Sequence, residues 1–397
     1  SWLVTLVGAG LVFRKVDHWV GQRNWREGWG WVRGSSRMRR WGLALGLLAV
    51  LTSLTPKRRF TQPYDERWGT GDEPRYIRIA ASLLHDGDAD VRNAGELIGK
   101  RASPIGLLRN LSGWLVSTGE VTAEAAGLLL GRRVSIEARS LGGQVIEGRH
   151  GGLYYVYLPG FPLLLVPAMA FDSWLFKDYL PLTLLTCLAL GTATILSLAR
   201  LVEPFAGSRK AGCALGLAVG FSIPLFLHHF QAYPEMTAAL CLSLALSSLL
   251  AQEPGRRDVL IFAAATALLP WLHTKYYPLW GVCIFAFVWR LIRERPSWRN
   301  AFLGVFPPMI SVALQSLYVF HISGSLLPDA LWVLNGYPRG ATLFNDQTWR
   351  GLYYLLLDRT HGLLVYGPLF ILALPGIMAL WRRSRFALLL TLATVVP

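Results

Sequence analysis

The residues best suited to chemistry are Gly71-Asp72-Glu73-Pro74-Arg75-Tyr76, an acidic pair ahead of a proline and an amphipathic run, Ile77 to Leu84. A carboxylate here suits a general base, or a group that orients one, if it reaches an acceptor hydroxyl. The same residues also make an ordinary helix start. Acidic side chains cap and stabilise helix N-termini, and proline fits the first helical position. A helix start explains one carboxylate and leaves the other over. Asp72 is the stronger candidate for chemistry, and Glu73, beside Pro74, for starting the helix.

Lys275 is the one lysine in the otherwise apolar stretch Leu268 to Cys283. An ionisable group at membrane depth is costly and calls for a partner. Snorkelling at the end of a span is the plain alternative. Its neighbours His273, Tyr276 and Tyr277 suit a polar pocket, and an anionic phosphate suits its compact ammonium. The turn His228-His229-Phe230-Gln231-Ala232-Tyr233-Pro234-Glu235 lacks the ligand spacing of a zinc site, so Glu235 is read as a hydrogen-bonding rim to a substrate cavity. Asp86-Gly87-Asp88-Ala89-Asp90 resembles the start of a calcium loop but lacks its later glycine and glutamate. A solvated turn fits it, and paired carboxylates keep a divalent cation open. Near the C-terminal end, Asp346, Arg350, Asp358, Arg359 and His361 cluster ahead of an apolar run. Arg350 or Arg359 suits a phosphate clamp, and interfacial anchoring suits them equally. No P-loop, dinucleotide glycine pattern or Ser-His-Asp signature is present, so no nucleotide cofactor and no metal ligand set is expected.

These residues must be positioned by apolar elements. The 397 residues are 53% hydrophobic and only 16% charged, below the roughly 25% usual in soluble domains. Apolar blocks of about 20 residues recur, the length that crosses a bilayer. Nucleic acid is the first partner a net charge of +15 suggests. Many of the arginines, however, sit in short connections between apolar blocks, as the positive-inside rule describes, and anionic lipid headgroups complete the explanation. The four cysteines lie inside apolar segments without C-x-x-C spacing, which implies neither a disulfide framework nor zinc. The chain begins and ends inside apolar runs and reads as a portion of a longer protein.

Residues 1–40 are expected to hold a partial span and a basic, Trp-rich cytoplasmic interfacial segment, and 41–55 a span. Residues 56–178 form an external loop with juxtamembrane helices. Within it 74–84 has helical spacing, with Tyr76, Ala80, Leu83 and Leu84 on one face and Arg75, Arg78 and Ser82 off it. Gly87 is a helix stop, 121–130 a further short helix and Ser140–Arg149 a hairpin. Residues 153–171, broken by Pro159, Pro162 and Pro167, are expected to be interfacial or re-entrant. Residues 179–397 are multi-span, with crossings at 179–201, 211–230, 233–251, 258–272, 276–293, 300–320, 362–381 and 386–397 and an external loop at 321–361. Basic connections alternate with the others. The acidic pair, the 228–235 turn, Lys275 and the 321–361 loop then share the non-cytoplasmic face. The fold expected is an all-α polytopic membrane protein of about ten transmembrane helices.

This organisation resembles the GT-C glycosyltransferases, membrane enzymes that use lipid-phosphate-linked sugars. It is most similar to the aminoarabinose transferase and protein O-mannosyltransferase branch, over roughly residues 41–381. The branch carries a D-E-x-R-Y-like signature at the start of its external loop, matched by Asp72-Glu73-Pro74-Arg75-Tyr76 and followed by Ile79-Ala80. Thr274-Lys275 matches its external lysine turn, and Tyr233-Pro234-Glu235 its short acidic turn. The usual Lys-Pro-Pro stretch is replaced by Tyr157-Leu158-Pro159-Gly160-Phe161-Pro162, and residues 1–13 are extra. The resemblance implies a GT-C-like fold and transfer of a sugar from a polyprenyl-phosphate donor to a hydroxyl of a lipid, glycan or protein acceptor. It implies Asp72 as the catalytic carboxylate and phosphate binding at Lys275. Arg75 or an arginine of the 321–361 loop is expected to help hold that phosphate, with Glu73 beside the catalytic carboxylate and Tyr76 touching the substrate. It also implies a bacterial inner membrane with the site facing the periplasm. Two other classes stay open. A transporter or flippase would show paired repeats or broken helices. A silent structural subunit would keep the fold without activity.

Overall fold

The computed structural model describes residues 36–53, 71–97, 122, 138–176, 181–222, 225–251, 254–294, 297–337 and parts of 353–390. The chain divides into two units, Ser1–Lys57 and Arg58–Pro397. In the first, helix α1 spans Ser36–Ser53. It starts ahead of the expected 41–55 span and takes in Arg37, Arg39 and Arg40, since arginine sustains a helix nearly as well as leucine.

The second unit is mostly helical. Helix α2 (Glu73–His85) and the short α3 (Ala94–Leu97) precede a three-stranded antiparallel sheet, β1 (Arg139–Gly142), β2 (Val145–Glu147) and β3 (Leu153–Tyr155). Next come α4 (Gly160–Leu175), α5 (Pro181–Ala206), α6 (Arg209–Gly220), α7 (Leu225–His228), α8 (Pro234–Leu249) and α9 (Arg256–Leu272). A 3-10 turn, Thr274–Tyr276, leads to α10 (Tyr277–Glu294), α11 (Trp298–Ser323) and α12 (Ala330–Leu334). Two pieces, α13 (Leu363–Tyr366) and α14 (Ala373–Arg383), lie within the expected 362–381 region and just past it.

Helix α2 matches its periodicity but is buried more widely than one face. Ile77, Ile79 and Ala81 are buried with Tyr76, Ala80, Leu83 and Leu84. Ser82, expected off the apolar face, is fully buried because its hydroxyl donates to the Asp90 carbonyl at 2.6 Å. The helix ends as expected at Gly87, whose N–H returns to the Ser82 carbonyl.

The hairpin forms with Arg139 opposite Glu147 and Ser140 opposite Ile146. Its turn needs positive φ at Gly142 and Gly143, +79° and +57°, which glycine adopts without steric cost. The third strand was not legible, and the sheet corrects the all-α expectation. Residues 153–171 are less broken than their three prolines suggest. They hold β3 and most of α4, a continuous helix. Pro162 falls in the first turn, where backbone N–H groups have no helical partner, so only Pro167 removes an interior bond.

Helix α4 links the site to the bundle by packing on α2, α5 and α9. Its buried Asp172 accepts from the N–H groups of Leu182 and Thr183, each at 2.7 Å, and so caps the start of α5. In the bundle α5 packs on α6 and α8, α8 on α9, and α9 on α11, while α10 contacts all of α8, α9 and α11. Arg290 Nη1 donates to the Leu249 carbonyl at 2.7 Å, tying the end of α8 to α10.

Helices α5 and α11, each 26 residues with mean hydropathy 1.9 and 1.5, are long and apolar enough to cross a membrane. They are the two that meet that test among the described residues, against about ten expected. The span expected at 211–230 ends at Gly220. Pro224 follows closely, and a proline disfavours helix in the residue before it. The helix expected at 121–130 and the span expected at 386–397 lie largely outside the described residues.

Candidate functional site

Asp72 stands at the N-cap of α2, yet its side chain makes no capping hydrogen bond. Its Oδ1 instead accepts from Arg75 Nη1 at 2.5 Å. Its backbone N–H donates to the Tyr233 hydroxyl at 3.0 Å. This approach requires Gly71. The residue has φ +55°, and a Cβ there would run into the Tyr233 hydroxyl oxygen.

Glu73 takes a different role. It is fully buried, and its Oε1 accepts from the Ala232 N–H at 2.8 Å. The acidic pair therefore divides. Glu73 binds the helix start to the 228–235 turn and offers no exposed oxygen to a substrate, whereas Asp72 stays part-exposed. Tyr76, expected to touch substrate, is 2% exposed and belongs to the core. Its ring packs against Tyr157, Phe161 and Tyr233 at 5.0, 5.6 and 6.4 Å between centroids. Burial, then the Glu235 carboxylate, raises its phenol pKa.

Lys275 lies in the 3-10 turn between α9 and α10, and its Nζ pairs with Glu235 Oε1 at 2.6 Å. The partner expected for this ammonium was a phosphate; the chain supplies a carboxylate from the start of α8. His273 opens that turn, its Nδ1 accepting the Lys275 N–H at 3.1 Å. The ring stacks on Trp332 at 5.3 Å and meets Tyr157 edge-on at 6.3 Å. Burial, then the Lys275 ammonium, pushes the His273 pKa down to about 4, while Glu235 and Asp72 pull it the other way. The imidazole is neutral at pH 7, and accepting at Nδ1 leaves its proton on Nε2. One ring thus feels Asp72, Glu235 and Lys275 together.

Arg75 joins this cluster to open space. Its guanidinium carbon lies 5.9 Å from the Tyr157 ring centroid. It also lines an open cavity of about 460 Å³ with Gly142, Gly143, Gln144, Asn335, Gly336 and Tyr337. The Tyr157 hydroxyl donates to Gln144 Oε1 at 2.7 Å, connecting the cluster to the hairpin tip. Burial, then the adjacent Asp72 carboxylate, raises the Tyr157 pKa. Of the cavity residues, sequence reasoning found Arg75 alone. The available signals were the glycine turn at 142–143 and the Asn335-Gly336 pair, both turn formers.

The other candidates separate from this cluster. Asp88 accepts from the Ser82 hydroxyl at 3.1 Å, and Asp90 accepts from the Leu153 N–H at 3.1 Å while pairing with Arg92. The acidic run is a turn that fastens α2 to β3. No group of three or more His, Cys, Asp or Glu among the described residues is arranged to hold a metal. Arg350, Arg359 and His361 lie outside the described residues.

The sequence segments 72–76, 233–235 and 273–276, far apart in the chain, meet in one cluster beside an open cavity. A carboxylate oriented by a guanidinium can accept a proton from a bound hydroxyl, and a half-exposed ammonium can hold an anion that displaces its carboxylate partner. No family model, curated protein or solved structure matches this chain.

Proposed function

We propose that the chain is a GT-C-like glycosyltransferase of a bacterial inner membrane, with about ten spans and its site on the periplasmic side. The observation that carries this is the meeting of the three resembling segments, Asp72 to Tyr76, Tyr233 to Glu235 and Thr274-Lys275, around the Asp72–Arg75 pair. The apolar outer face of α11 supports a lipid environment. Phe302, Phe306, Met309, Ile310 and Leu314 are all exposed there, and in water so large a patch would be unfavourable.

In the reaction, Asp72 takes the proton of the acceptor hydroxyl as its oxygen attacks the anomeric carbon of a polyprenyl-phosphate sugar. The bond from that carbon to the phosphate oxygen breaks, and the lipid phosphate leaves with the electron pair. Arg75 holds Asp72 in orientation. Lys275 exchanges Glu235 for the leaving phosphate. A part-exposed ion pair contributes only about 0–1 kcal/mol, so the exchange costs little. Fixed charge at the leaving group supplies most of the acceleration. No metal is required by these steps.

A second reading has one observation in its favour. Both cations are already paired, Arg75 with Asp72 and Lys275 with Glu235, as in a silent subunit that keeps the fold. Purified protein in lipid nanodiscs, given a panel of labelled polyprenyl-phosphate sugars and envelope extract, separates the two. Release of polyprenyl phosphate coupled to labelled product supports the enzyme. No release with any donor supports the silent subunit.

A further inference from the structure

The acceptor class is open in the proposed reaction, and the cavity beside Arg75 bears on it. Its volume of about 460 Å³ lies within the range of small-molecule sites, roughly 300–1,000 Å³. Arg75 is the charged residue in its lining, and that guanidinium is already matched by Asp72 at 2.5 Å. The Asp72 carboxylate offsets the charge of that guanidinium, so an anion entering here meets no uncompensated cation, whereas a neutral ligand can use the remaining N–H donors at no electrostatic cost.

The rest of the wall is amide and aromatic. Gln144 Oε1 is held by the Tyr157 hydroxyl at 2.7 Å, and Asn335 Oδ1 by the Ser140 hydroxyl at 3.1 Å. Each amide is anchored through its oxygen, which turns its NH2 donors to other partners. Gln144 also has φ +67°, the single positive value outside glycine among the described residues. That value belongs to the two-residue hairpin turn Gly143-Gln144, whose type I′ geometry takes positive φ at both positions and so fixes the Gln144 backbone at the cavity rim. Tyr337 is 48% exposed at the cavity, and its ring is braced edge-on against Trp332 at 5.2 Å. Trp332 is in turn stacked on His273. A rigid aromatic face with two fixed amides matches a ring bearing C–H groups on one side and hydroxyls at its edge.

We propose that this cavity binds a neutral polyhydroxylated sugar ring, so that the acceptor is a carbohydrate. Its part in transfer rests on the glycosyltransferase reading; its binding of sugar rests on the cavity alone.

The test uses the full chain in nanodiscs and saturation-transfer NMR with glucose, mannose, galactose and N-acetylglucosamine, with inorganic phosphate and a serine-containing peptide as competitors. At least one neutral sugar is expected to bind. Tyr337→Ala, at an exposed position, and Asn335→Ala, at a half-buried one, are each expected to weaken it by about tenfold, the effect of one lost contact of about 1.4 kcal/mol, with the protein still folded by thermal unfolding. Absence of sugar binding, indifference to both substitutions, or displacement by phosphate or peptide at lower concentration overturns the proposal. Sugar binding without transfer from any lipid donor leaves it standing and removes the glycosyltransferase reading. Transfer to a non-carbohydrate acceptor that Tyr337→Ala does not slow removes this inference alone.

Discussion

The Asp72 backbone N–H donates to the Tyr233 hydroxyl at 3.0 Å across 161 positions of sequence, fixing the start of α2 against the turn that begins α8. Two substitutions probe this clamp. Tyr233→Phe removes one hydrogen bond and should lower stability by about 1 kcal/mol. Gly71→Ala forces a Cβ into the left-handed region and onto Tyr233, and should cost about 1–2 kcal/mol. Denaturation in detergent measures both, with Gly71→Ala the more damaging.

The two carboxylates should separate in their effects. Glu73→Ala leaves the Ala232 N–H buried without its acceptor and should destabilise by about 1–3 kcal/mol. Activity per folded molecule should fall far less than for Asp72→Asn. Folded fraction and turnover, measured on the same preparations, check this.

Much of the helical arrangement was legible, because apolar blocks and basic connections mark helices and their ends. Lys275 and Glu235 each stood out as charges at the edge of apolar runs, but nothing local in 228–235 or 268–283 shows that they pair. That contact depends on α8 and α9 packing side by side. The Glu73 contact is hidden for the same reason, since its acceptor role needs Ala232 brought 159 positions along the chain. In residues 153–171 a local rule misleads about the helix alone. Three prolines suggest breakage, yet one precedes the helix, one sits in its first turn and only Pro167 is interior. The cavity was hidden because the start of α2 and two turns far apart in the chain build it together.

Lys275 and Glu235 should give effects of opposite sign on donor use. Lys275→Ala removes the ammonium and should reduce kcat/KM for the lipid donor by roughly 10- to 100-fold, about 1.4–2.7 kcal/mol of lost charge stabilisation. Glu235→Gln frees the ammonium from its competitor and should lower the donor KM. A purely structural pair predicts loss in both variants, and steady-state kinetics with a soluble short-chain donor distinguishes them.

His273 sets a pH dependence. Its folded pKa of about 4 lies below the ordinary 6.5, because burial and then Lys275 disfavour the imidazolium. Below pH 6.5 the unfolded chain binds the proton more readily. Stability attributable to this ring is therefore complete above pH 6.5 and lost as pH falls toward 4. His273→Gln should flatten the fall in thermal midpoint between pH 6.5 and 4, and parallel curves for the two proteins would contradict it.

We propose that Asp72 performs the proton transfer while Arg75 holds it in place. The direct measurement is sugar transfer from a labelled polyprenyl-phosphate donor by the wild-type chain and by Asp72→Asn, at matched folded concentrations in nanodiscs. Asparagine keeps the size of the side chain and removes its basicity, so transfer should fall by roughly 10²–10⁴-fold. Wild-type turnover with an undiminished Asp72→Asn rate would contradict a proton-accepting role for Asp72.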